Sequence, residues 1–167
     1  MKYHLRRMDR AVTDPEKLER VLKEAHYVTI AMCKDNTPYL VSLSHSYDTE
    51  RKCIYFHCAG AGKKLDYMRA NPHVWGQAML DHGYVDGECN HLYVTAMFDG
   101  TVNFADSIEE KRRIMTHLFT NQEKPSPTGE VDSHLIRIGK DVELKATTIG
   151  WITINELTGK KSKDEKF

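Results

Sequence analysis

The segment from His57 to Lys64 carries the residue pattern with the clearest chemical meaning. It follows a strand-like run over 53–58 and precedes a short helix pattern marked by Leu65 and Met68. Backbone amides of a glycine loop at a helix N-terminus bind anions, and the adjacent Lys63 adds charge beside Lys64. The pattern predicts a phosphate pocket, with a flexible turn carrying solvated lysines as the open alternative. Neither a Walker loop nor a dinucleotide fingerprint is present, because GxxxxGK[ST] and GxGxxG are absent.

A second feature is the strand-like run over 38–47, in which small polar and larger residues alternate. One face carries Leu40, Ser42, Ser44 and Ser46, and the other carries Tyr39, Val41, Leu43, His45 and Tyr47. A face of small polar groups suits a flat ligand that approaches the backbone closely. The solvent face of an antiparallel sheet has the same composition, so both interpretations stay open on this strand.

Nine histidines and four cysteines raise the question of metal or haem binding. Ligand-type side chains cluster in a predicted polar loop over 81–90 and just beyond it, namely Asp81, His82, Glu88, Cys89 and His91. They lack a recognised ligand spacing, which favours a polar surface loop, and we predict no metal site. Cys53 and Cys58 face opposite ways on one strand, which disfavours joint chelation. Either His45 or His57 remains a candidate axial haem ligand.

The elements that position these residues follow from capping signals and periodicity. Helices are predicted from the capping box of Thr13 and Glu16 to about His26, over 65–71, and from the capping box of Ser107 and Glu110 to a loop at 125–129. Strands are predicted over 27–32, 38–47, 53–58, 74–80, 135–138, 142–146 and 149–157, with a hairpin over 92–104 bent at Asp99-Gly100. This order predicts a mainly β fold, a small antiparallel β-barrel with inserted helices.

Length and charge exclude several classes of protein. The 167 residues predict a single domain over 1–167, with an N-terminal arm over 1–12 and a frayed tail over 160–167. Lys plus Arg and Asp plus Glu each number 24, so the balanced charge predicts no nucleic-acid partner. No apolar stretch approaches the length of a membrane helix, and the first ten residues carry several charges where a signal peptide would be apolar, so we expect a cytoplasmic protein with no membrane partner.

Taken together, the chain resembles the pyridoxamine-phosphate-oxidase-related flavoproteins of the 5-nitroimidazole-resistance type, from about Arg6 to Ser162. The resemblance rests on Arg-Arg-Met-Asp-Arg at 6–10, Pro-Tyr-Leu-Val-Ser-Leu-Ser at 38–44, Tyr-Phe-His-Cys-Ala at 55–59, Gly-Lys-Lys-Leu at 62–65 and Asn-Pro at 71–72. Its most specific part is HxAxxGxK, formed by His57, Ala59, Gly62 and Lys64. The resemblance implies an FMN-binding split barrel of antiparallel Greek-key type, working as a homodimer with FMN at the subunit interface.

The resemblance also implies cofactor-binding residues: Val41, Ser42, Leu43, Ser44, His57, Cys58, Lys63, Lys64, Gln77 and Trp151. The run over 41–44 would line the isoalloxazine, and His57 and the two lysines would meet the ribityl phosphate. Gln77 would bind the flavin or its tail, while Tyr93 and Trp151 would reach the partner subunit's flavin. Catalytic residues stay unknown; His57 and Tyr93 are candidates, with structural hydrogen bonding as the alternative for each.

The implied function is an FMN-dependent oxidoreductase that reduces a small, flat, electron-poor acceptor such as a nitroimidazole. The alternatives are a haem-binding or haem-degrading protein on the same barrel, and a flavin-binding protein without turnover. Two departures limit the resemblance. The chain has Tyr-Val-Thr-Ala at 93–96 where the resemblance leads us to expect Tyr-Arg-Ser-Val, and its end lacks the Arg-x-His of pyridoxamine phosphate oxidase proper. We therefore expect no vitamer oxidation.

Overall fold

The computed structural model describes residues 6–122 and 140–167. The strands in this part of the chain are β1 (Ala11–Val12), β2 (Tyr27–Lys34), β3 (Thr37–Ser44), β4 (Ser46–Asp48), β5 (Cys53–Ala59), β6 (His73–Val85), β7 (Asn90–Phe104) and β8 (Thr147–Lys161). The α-helices are α1 (Pro15–Glu24), α2 (Lys63–Ala70), α3 (Ile108–Gln122) and α4 (Asp141–Ala146), and a 3₁₀ turn covers Met8–Arg10. None of the described helices is long and apolar enough to cross a membrane.

All strand pairs are antiparallel, in the order β3-β2-β6-β7-β8-β5-β4, with β1 added to β8. β3 and β4 stand at opposite ends of this order, although only His45 separates them in the sequence. The two ends of the sheet therefore meet at His45, and the sheet curls into a barrel. This confirms the prediction of a mainly β, antiparallel barrel with inserted helices.

Two apolar clusters lie on opposite sides of this sheet. The inner core includes Ile54 and Phe56, and α1 contributes Leu22 to it from an apolar stripe at helical spacing. The second cluster lies on the outer side of β5 and β8, where α3 and α4 pack. Because successive residues of a strand point to opposite faces, Cys53 and Tyr55 belong to this second cluster. β5 is thus buried on both faces over its first four residues, as its apolar sequence predicts.

The predicted hairpin over 92–104 is wrong, because β7 runs without a break through Asp99-Gly100. The pairing of β7 with β8 shifts by one residue at this point. A Cβ atom at Gly100 would lie 2.5 Å from Cγ2 of Ile152 and 2.9 Å from the carbonyl oxygen of Thr153. The glycine at this position therefore does not make a turn. It permits close packing of the neighbouring strand beside a β-bulge.

The predicted strand over 142–146 is also wrong, because these residues form the helix α4. Val142 and Leu144 sit two residues apart and mimic strand alternation, yet Val142 is 78% exposed while Leu144 is buried in the second cluster. The ammonium of Lys111 donates to the carbonyl oxygens of Leu144 and Thr147, at 3.1 and 3.0 Å. Tertiary contacts thus decide the conformation of this short segment. The strand predicted over 135–138 and the loop predicted over 125–129 lie outside the described residues.

Both ends of the described chain are more ordered than predicted. Ala11 and Val12 pair with Lys160 and Gly159, so the predicted arm ends in a strand and the predicted frayed tail begins inside one. Ser162 is buried as well. The polar loop predicted over 81–90 is mostly a β-hairpin, whose turn spans only residues 86–89.

The helix starts differ from the predictions at one of two sites. At α1 the cap is the Asp14 side chain, which accepts from the Glu16 amide at 3.0 Å, and not Thr13. At α3 the hydroxyl of Ser107 accepts from the Glu110 amide at 3.1 Å, as predicted. The two sites show that neighbouring cap-type residues compete for the same helix start.

Candidate functional site

β3 forms one edge of the sheet and is the strand on which the serine pattern lies. Within residues 6–122 and 140–167 its ladder pairs only with β2. An edge strand leaves the N–H and C=O groups of every second residue without a strand partner. The backbone over 41–44 is therefore available to a ligand along this edge.

The side chains of β3 alternate as the sequence predicts, but only as far as Ser44. Ser42 and Ser44 are exposed, whereas Leu43 is buried and Val41 packs against the inner core. Ser46 breaks the pattern, because it is buried next to His45, where the two ends of the sheet meet, and its hydroxyl lies 2.9 Å from Nδ1 of His117. The predicted polar face is therefore two serines long rather than three.

The outer side of β3, β2 and β6 carries a continuous polar row. Thr29 on β2 pairs with Ser42 on one side and with Gln77 on the other, and its hydroxyl lies 3.1 Å from that of Ser42. Four large apolar side chains surround this row: Tyr27, Leu40, Trp75 and Met79, which are 45–63% exposed. We call these four residues, together with Thr29, Ser42, Ser44 and Gln77, the bare face.

The glycine loop enters α2 as predicted. Gly62 is the N-cap residue with a φ of 134°, a conformation that favours glycine, and its carbonyl accepts from the Leu65 amide at 2.9 Å. The ammonium of Lys63 lies 4.7 Å from the ring centroid of Tyr39 on β3. This cation–π contact ties the start of α2 to the edge strand.

His57 and Cys58 project to different sides of β5 beside Lys64. The exposed His57 ring stacks against Phe119 of α3, with the centroids 6.5 Å apart. Loss of hydration and then the charge of Lys64 lower the pKa of His57, so its imidazole is neutral near pH 7. Burial against the inner core raises the pKa of Cys58, while the charges of Lys64 and Arg69 oppose this shift. A protonated thiol is a poor nucleophile.

The structure divides the predicted site residues into three places. Four of them lie together around the start of α2, which we call the α2 corner: His57, Cys58, Lys63 and Lys64. β3 borders this corner through the contact of Tyr39 with Lys63. Gln77 shares the bare face with Ser42. Trp151 packs against the second cluster opposite Tyr55.

Tyr93 is held within the hairpin of β6 and β7. It is half-buried, its amide donates to the Ser162 hydroxyl at 3.3 Å, and its carbonyl accepts from the Ser162 amide at 3.0 Å. In the part of the chain that the structure describes, these hydrogen bonds join Tyr93 to the C-terminal end of β8 and not to the start of α2. Within the described residues, these contacts do not bring Tyr93 to the other candidates, whereas Trp151 pairs with Tyr55, two residues from His57 on β5.

The ligand-type side chains around the β6–β7 hairpin are not gathered. Nδ1 of His82 lies 2.7 Å from a carboxylate oxygen of Glu165, and Nε2 of His91 lies 3.9 Å from Asp81. Across the described ranges, no group of three or more His, Cys, Asp or Glu side chains could hold a metal ion. The His82–Glu165 pair joins the hairpin to the C-terminal tail.

Sequence reasoning missed several residues of this region. Thr29 and Trp75 lie on the bare face, and the strand alternation of 27–32 and 74–80 carries enough signal to place them there. Phe119 reaches His57 only through the packing of α3, which local pattern does not reveal. The chemistry available is thus a cationic corner, a neutral imidazole and an open strand edge beside a flat exposed surface.

Comparison with known proteins places this arrangement in a family. The family model for pyridoxamine 5′-phosphate oxidase matches residues 14–161. A Bacteroides thetaiotaomicron protein assigned as a 5-nitroimidazole antibiotic resistance protein superposes with a TM-score of 0.76 and 21% identity, covering 91% of this chain and 86% of its own. An FAD-binding protein of Mesorhizobium loti superposes with a TM-score of 0.66 and 21% identity, covering 91% of this chain and 96% of its own.

An FAD and heme binding protein of Mycobacterium smegmatis gives a TM-score of 0.71 at 18% identity, with coverages of 93% and 75%. The curated proteins include no significant match to this sequence. At these identities the solved structures establish a shared fold, whereas the family model spans most of the chain. The protein therefore belongs to the pyridoxamine 5′-phosphate oxidase family of split barrels.

Proposed function

We propose that the protein is an FMN-dependent oxidoreductase that reduces a small, flat, electron-poor acceptor of the nitroimidazole kind. The observation that carries the proposal is the open edge of β3 next to the cationic start of α2. The Lys63 contact with Tyr39 makes these two features neighbours. The resemblance to a protein assigned to 5-nitroimidazole resistance supports the acceptor class.

The residues present fit a flavin mononucleotide at both of its ends. A terminal phosphate needs cations and free amides, which Lys64 and the helix start after Gly62 supply. The flat ring system needs a shallow surface with hydrogen-bonding groups and little side-chain bulk. The backbone over 41–44, with the exposed Ser42 and Ser44, meets this need.

When bound, a flavin supplies hydride acceptance and electron transfer, so the chain's own task is binding and electrostatics. The residues 41–44 would orient the ring, and Lys63 and Lys64 would hold the tail. His57 offers a neutral imidazole, whose ring is fixed against Phe119 and which can donate or accept one hydrogen bond. Gln77 would reach the flavin from the next strand of the same face.

We also propose that the bare face pairs with a second copy of the chain. The proposal is supported by the large apolar groups that Trp75, Met79, Tyr27 and Leu40 expose on one face of the sheet, since contiguous exposed apolar surface is typical of interfaces. A homodimer across this face would enclose a ligand lying along β3. Tyr93 and Trp151 would then be candidates to approach the partner's ligand.

Haem binding and flavin binding without turnover are the competing functions. The FAD and heme binding protein of the same fold supports the flavin and haem classes equally. His45 is a poor axial ligand as it stands, because its Nε2 is bound to the Leu22 carbonyl at 2.8 Å. Among residues 6–122 and 140–167 no hydrogen bond occupies the ring of His57, so His57 is the histidine that haem would use.

The test begins with the visible absorption spectrum of the purified protein, before and after reconstitution with FMN, FAD or haem. We expect flavin bands with FMN, and reoxidation of the anaerobically reduced protein when a nitroimidazole is added. A Soret band without flavin bands would replace the proposal with haem binding. If the reduced protein is not reoxidised when an acceptor is added, the function is flavin binding without turnover.

A variant pair tests the phosphate assignment directly. Changing Lys63 and Lys64 together to Ala should weaken FMN binding by about tenfold or more, since hydrogen bonds to charged groups each contribute about 1.5–3 kcal/mol. Lys140→Ala, which removes an exposed lysine at the start of α4, should leave FMN affinity unchanged. Equal affinities in the double variant and the Lys140 control would contradict the assignment.

A further inference from the structure

The two adjacent lysines at the start of α2 have different neighbours. Successive side chains on an α-helix diverge by about 100°, since the helix has about 3.6 residues per turn. The ammonium of Lys63 lies 4.7 Å from the ring centroid of Tyr39 and 5.6 Å from that of Tyr67. Lys64 instead acts on β5, where loss of hydration and then the Lys64 charge lower the pKa of His57. The two lysines therefore act on opposite neighbours of α2, namely β3 and β5.

The two tyrosines beside Lys63 are themselves held in place. Tyr67 is 8% exposed and belongs to the inner core, and Tyr39 packs against the same core. The two ring centroids lie 5.2 Å apart, and the ring planes are inclined at 53°. Tyr67 is four residues after Lys63 on α2, whereas Tyr39 belongs to β3. A cation within about 6 Å of a ring centroid is attracted to that ring, so Lys63 links the start of α2 to β3.

This link joins the two places where the proposed ligand is held. The phosphate is assigned to the start of α2, and the isoalloxazine to the backbone over 41–44 on β3. Within the described ranges β3 has a single strand neighbour, β2, so its other side is not fixed by a ladder. Side-chain contacts with α2 therefore contribute to the distance between the two ends of the ligand site.

The charges of the two lysines also differ in their availability to a phosphate. Within residues 6–122 and 140–167 neither lysine forms an ion pair with a carboxylate. The ammonium of Lys63 is already placed over two aromatic rings. Lys64, which is partly buried beside β5, has no such contact in that part of the chain. A phosphate at the helix start would gain a charge-assisted hydrogen bond from Lys64.

We propose that Lys64 sets the preference for a phosphorylated flavin, and that Lys63 is a positioning residue that acts through Tyr39 and Tyr67. The flavin part of this inference rests on the proposed function, whereas the link between α2 and β3 does not. If the binding-competent arrangement of α2 and β3 becomes less populated, every ligand that spans both loses affinity by the same factor. The strength of an exposed cation–π contact limits this factor to about two- to fivefold.

Flavins with and without the phosphate separate the two roles. The dissociation constants of FMN and riboflavin are measured by flavin fluorescence with the full chain, freed of bound flavin, at physiological ionic strength. Lys64→Met should weaken FMN binding by about tenfold or more, because it removes a hydrogen bond to a charged group, and should leave riboflavin binding unchanged. Lys63→Met should weaken the binding of FMN and riboflavin alike, by about two- to fivefold.

Further variants show whether Lys63 acts through the rings. Lys63→Arg keeps a cation that stacks on aromatic rings, so it should retain both affinities. Tyr39→Leu removes a ring without changing the charge and should weaken both flavins, and adding Lys63→Met to it should cause no further loss. Tyr84→Leu removes an exposed tyrosine of the β6–β7 hairpin and should have no effect. If Tyr39→Leu fails to fold, the contrast between Lys63→Met and Lys63→Arg decides the question.

Hydrogen exchange tests the link between α2 and β3 without any flavin. Lys63→Met should speed the exchange of the Leu65 amide, which donates to the Gly62 carbonyl, and of the β3 amides that pair with β2. The expected acceleration is about two- to fivefold, the factor set by the lost cation–π contact. Lys64→Met, which leaves Lys63 over its rings, should not change these rates.

The outcomes distinguish this inference from the proposed function. FMN binding that weakens alone in Lys63→Met would overturn the division of roles, because Lys63 would then be a second phosphate contact. Unchanged affinities in Lys63→Met, or unchanged exchange rates, would overturn the positioning role whether or not the protein is an oxidoreductase. If the unaltered protein binds neither flavin, the proposed function and the role of Lys64 are refuted, and faster exchange in Lys63→Met would still support the link.

Discussion

The outer side of the sheet has two regions that differ in what covers them. Over β5 and β8, the helices α3 and α4 bury Ile114, Leu118 and Leu144 against the strands. We call this part of the sheet the covered region. Over β3, β2 and β6, no described element covers the bare face, and Trp75 and Leu40 keep 45% and 63% of their surface exposed. Both regions carry large apolar groups, so composition alone does not explain the difference.

The polar groups of the two regions also differ. In the covered region the Tyr55 hydroxyl donates to Asp48 and accepts from Arg113, both at 2.8 Å, and His117 packs edge-on against the Tyr55 ring at 5.0 Å. On the bare face, within the described residues, the one side-chain hydrogen bond is that between Thr29 and Ser42. The covered region thus bonds the Tyr55 hydroxyl to two neighbouring side chains, whereas Ser44 and Gln77 on the bare face are exposed.

Stability should depend most strongly on the covered region. Ile114 is fully buried, and Ile114→Ala removes apolar contacts and leaves a cavity. We expect the free energy of unfolding to fall by about 2–5 kcal/mol, measured by urea denaturation. Val142→Ala on the same side, at a 78% exposed position, should change it by less than about 0.5 kcal/mol. Equal losses in both variants would show that α3 does not seal this region.

Association should depend most strongly on the bare face. Trp75→Lys places a charge on the proposed dimer interface and should weaken dimerisation by about 2 kcal/mol or more, about 30-fold in the dissociation constant. Light scattering after size-exclusion chromatography measures this change. Val142→Lys, an equally drastic change on an exposed residue of α4, should leave the dimer intact. A monomer in the unaltered protein would remove the proposed role of the bare face.

The contrast between the regions also explains what the sequence could predict. Strand alternation placed Ser42 and Ser44 on one face, and the glycine loop before α2 was predicted from local signals. Alternation says which residues share a face but not which face a distant helix covers. The burial of Tyr55 by α3 and the exposure of Trp75 depend on where helices fall in three dimensions. For the same reason the stacking of His57 on Phe119 could not be predicted.

The errors have a common physical origin as well. The helix α4 and the uninterrupted β7 were misassigned because local residues permit two structures, and packing selects one. At Gly100 the turn signal and the need for close approach to Ile152 both require glycine. At Val142 and Leu144 a two-residue spacing fits a strand or one turn of helix.

Lowering the pH should reduce the free energy of unfolding through protonation of His117 in the covered region. Burial lowers the pKa of this histidine from its ordinary 6.5, and the charge of Asp48 only partly opposes the shift. A lowered pKa means that the folded state binds fewer protons than the unfolded state below about pH 6.5. The resulting loss of stability is absent above that pH and grows as the pH falls through and below it.

Urea denaturation between pH 7 and pH 5 should therefore show a stability loss that His117→Gln reduces. Glutamine cannot take up the proton, although it can still bond to Ser46. His82→Gln, in the exposed hairpin, serves as the control for a histidine outside the covered region. If the pH slope is the same in the His117 variant and the unaltered protein, the titration of His117 is not its cause.

The smallest change in stability should follow Ser42→Val on the bare face. Ser42 is exposed and valine is favoured in strands, so the free energy of unfolding should stay within about 0.5 kcal/mol of its original value. FMN affinity should nevertheless fall, because two methyl groups would obstruct the flat approach to the backbone over 41–44. Thr37→Ile, at the other end of β3, also replaces a hydroxyl by apolar groups and adds one heavy atom, and it should leave FMN affinity unchanged. A large loss of stability with unchanged FMN affinity would reassign Ser42 from the ligand surface to the structural part of the sheet.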